Sequence, residues 1–145
     1  MSTPVDALLN DFVKTSERLP QTTIEQARNY EAEIIDLNTN QLFSGLDANT
    51  QAITPSYRPL TITIKRQKGQ PTNRVTLKDT GDFYAGFEVR FDDKYFAIFS
   101  TDDKAEKIER KYGKDIFGLD QDAMFEVAEY IKPDLQNAFR KQIFE

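Results

Sequence analysis

Apolar residues recur along this chain at two spacings, and the switch from one to the other outlines the fold. Val5, Leu8, Leu9, Phe12 and Val13 fall at i, i+3, i+4, i+7 and i+8, the stripe of an amphipathic helix. Thr3 starts it as cap with Pro4 at the first helical position, and it stops before Pro20, because a residue ahead of proline is pushed out of the helical region. Thr22, with Glu25 three residues on, opens a second helix with capping-box spacing. Ala27, Tyr30, Ile34, Leu37 and then Gln41 or Leu42 continue the period to about Phe43, and Gly45 ends it. Glu31, Glu33 and Asp36 load the opposite face with negative charge.

The period then falls to two. Phe87, Val89 and Phe91 alternate with Glu88 and Arg90, which predicts a strand at 87–91 with one dry and one wet face. Asp92, Asp93 and Lys94 make a turn. Tyr95, Phe96, Ala97, Ile98 and Phe99 are apolar on both faces, so a second, more deeply buried strand is expected at 95–100, closing an antiparallel hairpin. Leu60, Ile62 and Ile64 alternate with Thr61 and Thr63, which predicts a further short strand running to Lys65. Ahead of the hairpin, Asp79, Thr80 and Gly81 form a turn, with Gly81 free to take a positive φ, leading into a helical turn through Phe83, Tyr84 and Ala85.

Beyond the hairpin, Thr101, Asp102 and Asp103 cap a helix whose buried edge is Ala105, Ile108 and Tyr112 and whose end is Gly113. An apolar connector at 115–119 carries Ile116, Phe117 and Leu119, either buried locally or presented to a neighbour. Asp120 and Asp122 cap the last helix. Its Met124, Ala128, Ile131, Leu135, Ala138 and Gln142 hold near-heptad phase across Pro133, which favours one kinked helix over two. Phe125, Phe139, Ile143 and Phe144 broaden its apolar face, a face that serves either the protein's own core or an oligomer seam. The expected class is α+β: a small antiparallel hairpin at 87–91 and 95–100 packed by N-terminal, middle and C-terminal helices. A two-stranded ribbon alone is marginal in water, so those helices are required.

With 145 residues the chain makes one domain, 1–145, able to bury about 70% of its unfolded surface. The stretch 46–76 is nearly aperiodic and broken by proline and glycine, so it reads as extended or ordered by a partner. No window approaches a membrane span, and the first residues lack the pattern of a signal peptide, so a soluble protein away from membranes is expected.

The chain has no cysteine, histidine or tryptophan, which removes disulfides, thiolate chemistry and every imidazole mechanism. The carboxylates sit at caps, turns and helix exteriors. Asp102 with Asp103, and Asp120 with Asp122, lack the glycine and distal glutamate of a calcium loop and read as caps. Asp79-Thr80-Gly81 has the letters of an aspartic-protease loop without that family's flanking pattern, so it reads as a turn aiming Phe83 and Phe87 inward. No catalytic residue, cofactor site or metal site is assigned, and no enzyme activity is expected.

Charge is segregated. Residues 1–50 sum to −5, residues 51–80 to +5 and residues 81–145 to −5. The basic island is Arg58, Lys65, Arg66, Lys68, Arg74 and Lys78. It is either a solvated stretch pairing with acidic neighbours or a contact for phosphate, DNA or the acidic surface of a partner subunit.

The order of several short motifs resembles the phage virion-morphogenesis and tail-completion proteins, of the head–tail joining, neck or minor tail kind. The matching pieces are Gly45-Leu46-Asp47 through Ile53-Thr54-Pro55, then Lys65, then Leu77 to Phe83 with its Asp79-Thr80-Gly81 turn. Tyr95-Phe96-Ala97, Tyr112-Gly113 and Ile116-Phe117-Gly118-Leu119 follow in the same order. The chain departs from that pattern after the second strand, where Ser100 to Asp103 and a charged helix stand, and in lacking tryptophan. The resemblance implies a non-enzymatic structural protein, assembled in the bacterial host cytoplasm into a homo-oligomeric ring of the virion. Other phage head, neck or tail proteins would be its partners, with DNA close by in a central channel. The alternative expectation is a nucleic-acid-binding adaptor that uses the basic segment 58–78.

Overall fold

The computed structural model describes residues 5–7 and 21–144, with side chains through 141. Residues 5–7 are helical, and the remainder of the expected first helix, with its stop at Pro20, lies outside the described residues, as do the side chains of Gln142, Ile143 and Phe144. The elements in order are α1 (Gln21–Ala27), a 3-10 turn (Arg28–Tyr30), α2 (Glu31–Phe43), α3 (Pro59–Gln67) and α4 (Asp82–Ala85). Then come β1 (Phe87–Phe91), β2 (Phe96–Ser100), α5 (Ala105–Tyr112), a second 3-10 turn (Lys114–Ile116) and α6 (Gln121–Phe144). This is the α+β arrangement expected from the two spacings.

β1 and β2 pair antiparallel with Val89 opposite Ile98 and Phe91 opposite Phe96. Phe87, Val89 and Ile98 turn inward, while Glu88, Arg90 and Phe99 face out. β2 is not the more deeply buried strand: only Ile98 is buried on it, against Phe87 and Val89 on β1. Aromatic content had suggested the reverse, but helices cover just one face of the ribbon, so Phe99 is left in solvent whatever its polarity.

The outer edge of β1 is closed by side chains. The Val89 N–H donates to Glu31 Oε1 at 3.1 Å, and Arg28 Nη2 donates to the Phe91 carbonyl at 3.1 Å. Arg28 also lies over the Phe91 ring at 5.5 Å. These two charged residues satisfy backbone groups that an open edge would leave exposed. The break between α1 and α2 places them there. The single helix expected to about Phe43 is interrupted by the 3-10 turn, where Tyr30 leaves helical geometry at φ −120° and ψ 28°. Glu31 and Glu33 then sit in the first turn of α2, where negative charge favours a helix start.

α6 runs unbroken through Pro133, with Met124, Val127, Ala128, Ile131 and Leu135 buried along one side. Each fully buried branched side chain contributes about 1.5–3 kcal/mol, which makes α6 the main support of the core. Phe125 does not join that face; it is 56% exposed on the opposite side of the helix. The Asp120 carboxylate accepts the Ala123 N–H at 2.8 Å and caps α6, whereas Asp102 accepts the Lys104 N–H at 3.2 Å in the turn ahead of α5, whose own start carries no side-chain cap.

The expected strand at Leu60 to Lys65 is a helix, α3. Pro59 at its first position has the φ a helix needs, and Gly69 at φ +71° closes it, with Gly69 N–H donating to Arg66 and Gln70 N–H to Lys65. Nine residues lie between these two signals, and the local start and stop override the β-branched alternation. The stretch 46–76 therefore holds this helix and a bridge between Leu46 and Ala52, and is not extended throughout.

Candidate functional site

The basic island, the one partner contact expected from the sequence, divides into residues turned inward and residues left at the surface. Lys65 is 8% exposed. Its Nζ donates to the Lys78 carbonyl at 3.1 Å and to Gln70 Oε1 at 3.3 Å, and lies 4.8 Å from the centre of the Tyr57 ring. A buried ammonium without such partners would be costly, and here carbonyl oxygen and an aromatic face replace its water. Lys65 thereby ties α3 to the irregular segment that returns through Thr76.

Thr76 is the fixed point of that segment. Its N–H donates to the Tyr57 hydroxyl at 2.9 Å, its carbonyl accepts the Tyr84 hydroxyl, and its Oγ1 accepts the Lys78 N–H at 3.3 Å. Burial pushes the Tyr57 phenol up, but the Thr76 hydrogen bonds and the Lys65 charge together outweigh it and hold the group below its ordinary value. Burial raises Tyr84 well above the ordinary phenol range. These tyrosines are structural posts for the backbone between 75 and 79.

Lys68 pairs with Asp79 at 2.8 Å, and Gln70 Nε2 donates to the Asp79 carbonyl at 3.0 Å. Hydrogen bonds from Lys68 and Gln70 hold the Asp79 carboxyl below its usual value. Arg74 lies over Phe43 at 5.1 Å and donates from Nε to the Phe43 carbonyl at 2.7 Å, covering the end of α2. Gly45 must be glycine for this: its φ is +81°, and a Cβ there would lie 2.8 Å from Arg74 Cβ. Lys78 sits over Phe43 and Tyr84 at 5.6 and 5.8 Å. Arg58, the extended residue before α3, and Arg66, in its last turn, are exposed, and their guanidinium groups have no ion pair or hydrogen bond among the described residues. The structure thus gathers Lys65, Lys68 and Lys78 about Gln70 and Asp79, seats Arg74 on α2, and leaves Arg58 and Arg66 outward.

Two residues with no expected role organise the other end of the molecule. Asn38 is fully buried; its Nδ2 donates to the Ile116 carbonyl at 3.1 Å, and its Oδ1 accepts the Gly118 N–H at 3.0 Å. Gln41 Nε2 donates to the Gly118 carbonyl at 3.0 Å, and its Oε1 accepts the Asp120 N–H at 2.9 Å. One turn of α2 therefore reads the backbone of the connector from 116 to 120 and fixes the start of α6. The signal available in the sequence is their spacing: Asn38 and Gln41 fall in phase with Ile34 and Leu42 on the buried stripe, where a polar side chain must find partners.

The connector also meets the rest. Phe117 packs against Phe83 at 5.8 Å and Phe87 at 5.5 Å, and Ala48 N–H donates to the Asp115 carbonyl at 2.9 Å. A groove of about 570 Å³ runs beside β2 with Ile98, Phe117, Leu119 and Met124 in its wall. Among the described residues no three carboxylates come together in a way that could hold a metal ion, and no helix is long and apolar enough to cross a membrane. No family model, curated protein or solved structure matches this chain.

Proposed function

We propose that this protein is a non-enzymatic structural subunit of a bacteriophage virion, of the head–tail connector, neck or tail-completion type, which acts by joining other virion proteins as part of a ring. The observation that supports the reading is that three of the separate stretches bearing the resemblance, 45–55, 77–83 and 115–119, pack on one another. The 45–55 loop touches the connector through Ala48 and Asp115, and Gly118 lies against Ala48, where a Cβ would come within 3.2 Å. Phe83, at the end of the 77–83 stretch, meets Phe117 of the connector. Motifs scattered over seventy residues of chain form one support under the hairpin, as a shared architecture requires.

The polar groups at that support are consumed in holding backbone, which suits a rigid piece that offers surfaces. A DNA-binding adaptor is less favoured, because four of its six expected contacts, Lys65, Lys68, Arg74 and Lys78, are engaged by the protein's own carbonyls, rings and Asp79. Deleting the gene from a phage or prophage that carries it tests the proposal. Filled heads and tails that fail to join, or tails of abnormal length, are expected by electron microscopy, with joining restored by the gene supplied in trans. Infectious particles in normal yield, or particles that lack the protein altogether in wild-type stocks, would overturn it.

A further inference from the structure

The two edges of the hairpin differ. The Asp92 N–H donates to the Tyr95 carbonyl at 2.9 Å and the Thr101 N–H to the Gly86 carbonyl at 2.8 Å, and these bonds bracket the ladder. In an antiparallel pair, residues that exchange ladder bonds alternate with residues that do not. Glu88 with Phe99 and Arg90 with Ala97 therefore hold the ladder, while Val89 and Ile98 turn their backbone groups away from each other, one to each edge. On β1 the outward groups are taken up, since Glu31 accepts the Val89 N–H and Arg28 donates to the Phe91 carbonyl. On β2 the Ile98 N–H and carbonyl have no hydrogen bond among the described residues.

That open edge borders the groove of about 570 Å³. Phe117, Leu119 and Met124 line the groove with Ile98, and Glu109, Lys114 and Asp115 stand in its wall without an ion pair among the described residues. The chemistry of a strand edge selects another strand, because one residue of an extended chain supplies both an acceptor for the Ile98 N–H and a donor for its carbonyl. A second copy does not offer that chain. Its β1 edge is closed by Arg28 and Glu31, and its β2 edge lies beside the same groove wall, so neither edge is free to enter. The wall carries two carboxylates against one ammonium, which favours a segment with basic flanks and disfavours nucleic acid.

We propose that the open edge of β2 takes up an extended segment of a different protein as a third strand. One residue of the segment exchanges both backbone hydrogen bonds with Ile98. Residues paired across strands share a face, so its side chain lies with that of Ile98 on the side of Phe117, Leu119 and Met124. Its two neighbours fall on the outer face beside Ala97 and the exposed Phe99. A β-branched or aromatic run without proline, ending in lysine or arginine, meets these demands. The inference deepens the proposed joining role and rests on it only in taking the partner for another virion protein.

The test is nuclear magnetic resonance of the isotope-labelled full chain with the capped peptide Lys-Val-Thr-Val-Thr-Val-Lys. In the free protein the Ala97 and Phe99 amides should be protected from hydrogen exchange and the Ile98 amide should exchange freely. Peptide at millimolar concentration should slow exchange at Ile98 by at least about tenfold and shift signals along β2 and the connector. The same peptide N-methylated at its valines keeps every side chain but loses the donors, and should bind at least about tenfold more weakly. A glutamate-ended version should bind at least about threefold more weakly. The inference is overturned by an Ile98 amide already protected in the free protein, or by protection that grows with protein concentration in the absence of peptide. Equal binding of the N-methylated or the glutamate-ended peptide, or no change at Ile98 with millimolar peptide, overturns it as well. Such results beside a gene deletion that blocks joining leave the structural role standing on another surface. Peptide binding at β2 in a phage that assembles normally without the gene keeps the edge and removes the role.

Discussion

Asn38 offers the sharpest test of how the molecule holds its connector. Replacing it by leucine keeps the volume of a fully buried side chain but strands two backbone groups at once, the Ile116 carbonyl and the Gly118 N–H. A buried polar group left without a partner costs about 1–3 kcal/mol. The Ile116 side of the pair is wholly buried, whereas Gly118 is half-buried and can recover part of its loss from water, so the two together give about 2–4 kcal/mol. In a chain of this length that is a fall in midpoint temperature of about 5–15 °C. Asn38→Ala should cost a similar amount, and Asn38→Asp at least as much, because a carboxylate would face the Ile116 carbonyl. Urea unfolding with a constant slope is the assay, since an altered slope would mean a change in the unfolded or partly folded state. Gln41 holds the carbonyl of the same Gly118, so Asn38→Leu and Gln41→Leu should be non-additive, the first having already loosened what the second would break. Asn38→Leu within about 0.5 kcal/mol of wild type would refute the view that this buried amide fixes the connector.

Three further outcomes follow from other contacts. Gly86→Ala should destabilise by about 1–3 kcal/mol in the same assay, because the added Cβ would lie 2.8 Å from the Asp102 N and from Ser100 Oγ at the foot of the hairpin. Tyr30, whose hydroxyl donates to Asp134 Oδ2 at 2.6 Å, should titrate near 12 in the folded protein by ultraviolet absorbance and fall toward 10 in Asp134→Asn. Its folded value is raised, so the stability it contributes is complete below pH 10 and disappears as pH climbs toward 12; an Asp134→Asn protein with unchanged Tyr30 titration would refute the link. Asp79 has its folded value depressed, first by the Lys68 hydrogen bond, so the stability from this pair is present above the ordinary carboxylate value of 3.8 and is lost as pH falls below it. Lys68→Met should abolish that part of the acid dependence while changing stability at neutral pH little, since both partners are about half exposed.

The hairpin and the C-terminal helix could be read from the chain because each is set by a local rule. Alternation over 87–91 needs only one covered face, and the phase of Met124, Ala128, Ile131 and Leu135 survives Pro133 because a helix can lose one hydrogen bond on its wet side. What escaped was decided by neighbours far along the chain. Whether Ile98 or Phe99 is buried depends on which face of the ribbon the helices occupy, and a strand apolar on both faces does not say. Asn38 and Gln41 fell on the apolar stripe, yet their role depends on a connector nearly eighty residues away. Composition could mark the basic island but not sort its six cations, because Lys65, Arg74 and Lys78 meet carbonyl oxygens and aromatic rings, which carry no charge to match in the sequence, and only Lys68 pairs with a carboxylate, that of Asp79.

The misread segment at Leu60 to Lys65 joins these threads. Alternating threonine and isoleucine suits a strand, and a strand would have sent Ile62 and Ile64 to the same side and left Lys65 across from them. Wound as a helix between Pro59 and Gly69, the same residues turn Lys65 inward onto Tyr57 and leave Leu60 and Ile64 outward. Burying the cation in preference to the leucine runs against transfer energies taken alone, by about 2 kcal/mol for the leucine's unburied surface. The arrangement is stable because the Lys78 carbonyl, Gln70 Oε1 and the Tyr57 ring face would each lose the ammonium they hold if Lys65 were withdrawn. Lys65→Met should destabilise the fold by about 1–3 kcal/mol in urea unfolding, because it strands the Lys78 carbonyl, and stability within about 0.5 kcal/mol of wild type would refute the anchoring role of the lysine.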